Sequence, residues 1–163
     1  MLSKNSILFV ALFLVSGHCL SGVEDESYKE LVNMITDKNR IDALSGYVES
    51  IENDLPVAEN GDASAMYRLY KDFNLLANIY GIDEAFPLAI KWLRKSVELD
   101  YPEALETMGH LYKSGDENLG VEKNLRRASE YFKSAWDKGD TSAGSEYRYI
   151  VECELPDDKA WDC

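Results

Sequence analysis

Three alanines, Ala65, Ala104 and Ala143, stand at one fixed interval of 39 residues. The same offset carries Gly81 onto Gly120, Ala89 onto Ala128, Leu69 onto Met108 and Phe73 onto Tyr112. It also carries Ile82 onto Val121, Trp92 onto Tyr131 and Leu93 onto Phe132. A period of this length, rich in helix formers and poor in proline, restricts a chain to stacked helical hairpins. Each hairpin can bury its apolar stripe only against its neighbours. Such a stack is a binding surface before it is anything else, and no strand signal competes with it, so the chain reads as all-α.

The units follow from the local pattern. Ser27 and Glu30 form a capping box ahead of a stripe of Tyr28, Leu31, Val32 and Ile35. A second stripe, Ile41, Leu44, Val48, Ile51 and Leu55, meets Pro56, which predicts a kink or a restart there. Asn60-Gly61-Asp62 reads as a helix stop followed by a new N-cap. The first full repeat spans 62–100, burying Ala65, Leu69, Phe73 and Leu76, then Ala89, Trp92, Leu93 and Ser96. Gly81-Ile82 opens its inter-helix loop and Pro87 lies near the next helix start. The second, 101–139, buries Ala104, Met108, Leu111 and Tyr112, then Ala128, Tyr131, Phe132 and Ala135. Its Ser114–Gly120 loop is predicted to be exposed. A capping helix and tail, 140–163, close the stack with Ala143, Tyr147, Ile150 and Val151.

The ends point to export. Lys4 precedes an unbroken apolar run, Ile7 to Val15, and small residues follow at Ser16, Gly17, Ser21 and Gly22. That run is too short to span a bilayer, which needs about 20 residues, but suits a signal-peptide core. Residues 1–22 therefore read as a cleaved leader and 23–163 as one domain with no stable membrane insertion, periplasmic or secreted. Cys19 offers lipidation only as a lesser reading, because His18 before it is not small. Loss of Lys4 with the leader takes the net charge from −13 to −14. Acidity of this size favours solubility and basic partners and argues against nucleic acid and anionic lipid. Beyond Cys19 only Cys153 and Cys163 remain, an even pair in an oxidising compartment. We read them as a disulfide around Pro156, worth roughly 2–3 kcal/mol by loop-closure entropy.

At the repeated positions the chain resembles the Sel-one-like repeat family of tetratricopeptide-related solenoids. That family's pattern is A-x-x-x-L-G-x-x-Y, a glycine-containing loop ending in G-V, then K-A-x-x-(W/Y)-(Y/F)-x-x-A and G-D or G-N. The second unit supplies Ala104, Met108-Gly109, Tyr112, Gly115, Gly120-Val121, Ala128, Tyr131-Phe132, Ala135 and Gly139-Asp140. The match covers about residues 50 to 150. It departs in a longer unit, in Tyr70 where glycine is usual, and in a first loop lacking one glycine. The resemblance implies a right-handed superhelical solenoid of antiparallel helix pairs, with first helices on the concave face. It also implies protein–protein binding, as in exported adaptors, host-interaction factors or immunity proteins for secreted toxins.

Catalytic constellations are missing from the sequence. Beyond the leader His110 is the sole histidine, so no His pair is available for a metal, and bridged cysteines leave no Cys–His dyad. Ser-x-x-Lys occurs nowhere, which counts against the alternative of a cell-wall-active, penicillin-binding or β-lactamase-like solenoid enzyme suggested by family association. Asp116, Asn118 and Gly120 lack the later glutamate of a calcium loop and read as a turn. We therefore expect no cofactor, no metal and no enzyme, but a protein partner with a basic surface, most concretely a toxin effector. The candidate binding face is the exposed side of the first helices. Its repeat rows are Arg68, Thr107 and Glu146; Lys71, His110 and Tyr149; and Asn74, Lys113 and Glu152. Tyr67 and Tyr149 are the candidate aromatic anchors. One end of this face reads as basic and the other as acidic.

Overall fold

The computed structural model describes residues 41–154, with six α-helices and no strand among them. They are α1 (Ile41–Glu59), α2 (Ala63–Tyr80), α3 (Ala85–Glu98), α4 (Pro102–Ser114), α5 (Leu125–Asp137) and α6 (Thr141–Tyr149), ending in a π-helical segment, Ile150–Glu154. The leader, the stripe at Tyr28–Ile35 and Cys163 lie outside the described residues. No described helix is long and apolar enough to cross a membrane. Each helix packs chiefly on the next in sequence, from α1 through α6.

The alanines lie where the repeat requires. Ala65, Ala104 and Ala143 on the first helices, and Ala89 and Ala128 on the second, are wholly buried. Around them α2 and α3 contribute Leu69, Phe73, Leu76, Trp92 and Leu93, and Ile82 from the intervening turn is buried with them. Ser96, fully buried, donates to the Ala63 carbonyl oxygen at 2.7 Å and ties α3 to the start of α2. In the second hairpin Phe132 is wholly buried, but Leu111, Tyr112 and Tyr131 are only partly so. The two tyrosines stack nearly parallel instead, centroids 5.5 Å apart at 6°.

The junctions between units repeat as well. Gly61, Asp100 and Gly139 occupy one repeat position, and all three have left-handed φ, 95°, 57° and 104°. The next position is an N-cap each time. The Asp62 carboxylate accepts from the Ala65 N–H at 2.7 Å, and Asp140 accepts from those of Ser142 and Ala143. Tyr101 fills the same slot without a side-chain cap, and Pro102 starts that helix instead.

Volume is exchanged between units. A Cβ on Gly109 would lie 2.8 Å from the Phe132 ring. One repeat earlier the equivalent positions hold Tyr70 and Leu93, a large first-helix residue with a smaller partner, both buried in one core. Gly144 likewise admits the Trp136 ring, with a Cβ contact of 2.8 Å, where the preceding unit has Leu105 and Val97. The unusual Tyr70 is thus matched by a reduction on the facing helix.

Three expectations are corrected. The helix does not restart at Pro56: α1 runs through it to Glu59, and the Asn60 N–H still donates to the Pro56 carbonyl at 3.2 Å. A proline this close to the C-terminus removes one donor bond, and only a single turn has to survive it. The Ser114–Gly120 loop is not simply exposed. Leu119 is buried and Val121 just beyond it is too, because Asp116 and Val121 exchange both backbone hydrogen bonds, at 2.7 and 2.8 Å, and fold the loop over the core. Val151 is 41% exposed rather than closing the stack, while Ile150 is fully buried. The π-helical turn changes the register there, so successive residues no longer follow the 3.6-residue stripe.

Gly109→Ala is expected to cost about 1–3 kcal/mol, the range for overpacking a rigid core contact, with Phe132→Leu recovering part of the loss in a thermal-denaturation double-mutant cycle. Strictly additive effects would disprove the size exchange. Asp100→Gly should stabilise by up to about 1 kcal/mol, or ~2–4 °C in Tm, by relieving a non-glycine left-handed residue. Gly139→Asp should shift Tm the opposite way.

Candidate functional site

The first-helix face is built by α2, α4 and α6, with α1 flanking it. Side chains tie these helices across the unit boundaries. Between α1 and α2, the Arg68 guanidinium forks onto the Asp54 carboxylate, 2.9 Å from Nε to Oδ2 and 2.7 Å from Nη2 to Oδ1. Ser50 donates to Asp72 at 2.7 Å beside it. The Tyr67 and Thr107 hydroxyls bond at 3.0 Å between α2 and α4. From α4 to α6, Lys113 Nζ reaches Glu146 Oε2 at 2.9 Å and Ser142 donates to Glu106. The result is a face crossed by polar rungs at every helix boundary.

Each predicted site residue has a definite place on it. Tyr67 is packed inward, half-buried, its ring 5.7 Å from Tyr70 and 5.6 Å from Tyr101, with Lys71 Nζ 5.2 Å above it. It is a structural post rather than an anchor standing free. Tyr149 is 48% exposed, and Lys113 Nζ lies 5.0 Å from its ring centroid. His110 is exposed, edge-on to Phe132 at 4.9 Å and 4.0 Å from Glu106 Oε1. Asn74 is engaged locally, accepting from Asn78 through both its backbone and side-chain oxygens. Arg68, Thr107, Lys113 and Glu146 are the rungs themselves. Lys71, His110 and Tyr149 are therefore the members of the predicted set most open to a ligand.

Pairing flattens the charge gradient read from the rows: Arg68 at one end meets Asp54, and Glu146 at the other meets Lys113. The carboxylates of Asp72 and Glu106, which accept from Ser50 and Ser142, lie alongside these pairs. Sequence rows could not show Asp54, Ser50 or Ser142 as partners, since the rows follow one helix type and these contacts cross to another or run diagonally.

Burial sets the unusual acid–base behaviour. Glu52 on α1 is raised by desolvation and then by Glu49, and its Oε1 is buried with no hydrogen-bond partner among the described residues. Asp72 is also raised, first by burial, with Asp54 adding to it and the Ser50 bond opposing it. Tyr70 is pushed up to about 12 by burial and by the neighbouring Tyr67 and Asp116. The Asp62 cap is lowered, chiefly by the Ala65 N–H. For Asp140 burial acts upward, but the bonds from Ser142 and Ala143 outweigh it.

An open depression of about 560 Å³ lies at the loop edge, lined by Ala77, Asn78, Gly81, Asp83, Phe86, Pro87 and Asn118. No hydroxyl, thiol, imidazole or amine nucleophile lines it. Among the described residues no three His, Cys, Asp or Glu side chains gather to hold a metal ion. The Asp116 carboxylate accepts from the Leu119 N–H at 2.9 Å, so it is spent on its own turn. No family model matches this chain, and no curated protein or solved structure matches it.

Because the fold favours protonated Glu52, stability from this group is present below its unfolded value of 4.5 and lost as pH rises through the higher folded value. Glu52→Gln should therefore raise Tm by a few degrees at pH 7 and change little near pH 4. Circular-dichroism melts at both pH values check this, and a destabilised variant at pH 7 would refute it.

Proposed function

We propose that this protein is an exported, non-enzymatic protein–protein binding module of the Sel-one-like, tetratricopeptide-related kind. In this reading the hairpins continue as a right-handed superhelical solenoid whose first helices line a concave face. The leader at 1–22 is cleaved and the protein acts in the periplasm or outside the cell. A Cys153–Cys163 disulfide fastens the tail. Its partner has a basic surface, and the role is that of an immunity or adaptor protein, most concretely one occupying a secreted toxin effector.

One observation carries the reading. The first helices are cross-tied through Tyr67–Thr107, Lys113–Glu146 and Ser142–Glu106 into one continuous wall. A preorganised face loses little conformational entropy on binding. On that wall Tyr149 stands 48% exposed, a residue type that concentrates binding energy at interface centres. The acidity of the chain, 30 Asp and Glu against 17 Lys and Arg, complements a basic partner and speeds encounter. The sequential packing of each helix on the next supports a solenoid, and the 39-residue repeat supports its regularity.

The test is affinity capture from the source cells, then titration of the purified captured partner. Tyr149→Ala and Glu146→Lys should each weaken binding at least about tenfold, or 1.4 kcal/mol, with Tm within a few degrees of the parent and with affinity falling as salt rises. Unaltered affinity in both variants would remove this face from the account.

A further inference from the structure

At the boundary between α4 and α6 one lysine is held by two kinds of group. Lys113 Nζ, on α4, lies 2.9 Å from Glu146 Oε2 and 5.0 Å from the centroid of the Tyr149 ring, both on α6. Glu146 and Tyr149 are three residues apart in that helix and so stand side by side on its surface. A carboxylate and an aromatic face together are the pair of groups that best receives a basic side chain. None of the three residues is sealed off. The Lys113 and Glu146 side chains keep 28% and 32% of their surface, and Tyr149 is 48% exposed.

The repeat itself does not ask for this arrangement. One unit earlier the same three places hold Asn74, Thr107 and His110. Asn74 turns to Asn78 within its own helix, and Thr107 bonds Tyr67, so the lysine–carboxylate pair has no counterpart there. Between α4 and α6 the Ser142–Glu106 bond ties the same two helices, and the boundary keeps it when Lys113 lets go. An exposed ion pair holds little net energy in water, and Lys113 gives up rotamer freedom to keep this one. A guanidinium from outside does better at the same two groups. Its planar fork takes a carboxylate through two N–H bonds and stacks on a tyrosine ring, neither of which an ammonium can do.

We propose that Lys113 is an internal stand-in for the ligand, and that Glu146 and Tyr149 receive an arginine side chain of the partner protein when Lys113 swings aside. This deepens the function proposed above and rests on it, naming the partner's contacting group as a guanidinium. The charge of the chain, −13, draws a basic segment toward it. Lys113 then sets a threshold, because only a group that satisfies both the carboxylate and the ring displaces it. A lysine from outside meets the same long-range attraction but gains nothing over the resident ammonium. The site therefore selects arginine over lysine.

The experiment uses the purified protein and a short fluorescein-labelled arginine-rich peptide, read by fluorescence anisotropy, with lysine-rich and citrulline-rich peptides of equal length in parallel. The arginine peptide should bind tightest and the neutral citrulline peptide weakest. Lys113→Gln, which removes the competitor, should tighten arginine binding by about threefold, the scale of one exposed ion pair. Lys133→Gln deletes the same charge from a pair on α5 and should change it little. Tyr149→Ala and Glu146→Gln should each weaken binding by about tenfold and cancel the gain from Lys113→Gln, with melts showing every variant folded. In protein carrying isotope-labelled lysine, the Lys113 side-chain resonances, displaced by the Tyr149 ring, should return to ordinary positions as the arginine peptide saturates. Weaker or equal binding by Lys113→Gln, lysine binding as tight as arginine, or Lys113 resonances unmoved at saturation would each overturn the proposal. Capture of no partner from the source cells counts against the module reading, and the peptide results decide the displacement separately.

Discussion

Contact between helices through alanine is what the rest of this structure depends on. Ala65, Ala89, Ala104, Ala128 and Ala143 have no accessible surface. A methyl group at each crossing lets two helix backbones approach closely enough for the flanking Leu69, Phe73, Leu93 and Phe132 to interdigitate. A larger side chain would lever the pair apart, and because units are in series the displacement would be passed to the next. The cross-boundary rungs operate over about 3 Å, as in Tyr67–Thr107 and Lys113–Glu146. They tolerate no such displacement, so the polar face is a consequence of the apolar spacing beneath it.

Regular spacing is kept without identical residues. Tyr70 with Leu93 and Gly109 with Phe132 occupy equivalent places with the volume moved from one helix to the other. The left-handed junctions show a second kind of substitution. Two use glycine, and the middle one uses Asp100, a residue whose short side chain makes that backbone tolerable. Asp100 then pairs with Lys138 at 2.8 Å, joining two successive junctions. The same geometry is reached by different chemistry because what each position must satisfy is a volume or a φ angle.

Much of this was legible in the sequence because period and turn chemistry are local signals. Ala65, Ala104 and Ala143, the Gly61-Asp62 and Gly139-Asp140 junctions, and the loop glycines Gly81 and Gly120 could be placed from residue type and spacing alone. Leu119 could not, since its burial follows from a two-bond bridge between Asp116 and Val121 that no periodicity announces. Val151 faced outward for a similar reason, a π-helical turn having displaced the stripe. On the candidate face the rows placed Lys71, His110 and Tyr149 together, yet they could not foresee that Arg68 would meet Asp54. Side-chain pairing across helices is set by the third dimension, which repeat offsets do not encode.

Charge is the last property the packing arranges. Some cations fall beside carboxylates, Arg68 at Asp54 and Lys113 at Glu146 between helices and Lys133 at Asp137 within α5. Others fall on aromatic faces, Lys71 at Tyr67 and Arg148 at Trp136 from the first helices, Arg127 at Tyr112 and Lys95 at Trp92 from the second. An aromatic face holds an exposed cation by about 0.5–1 kcal/mol and adds no opposing charge. Both helix classes therefore carry both kinds of cation, and which kind a residue becomes depends on what the neighbouring helix presents rather than on its place in the repeat. Lys113 meets Glu146, whereas Arg127 meets Tyr112, stacked on Tyr131, the same half-buried pair that departs from the core pattern of the first hairpin.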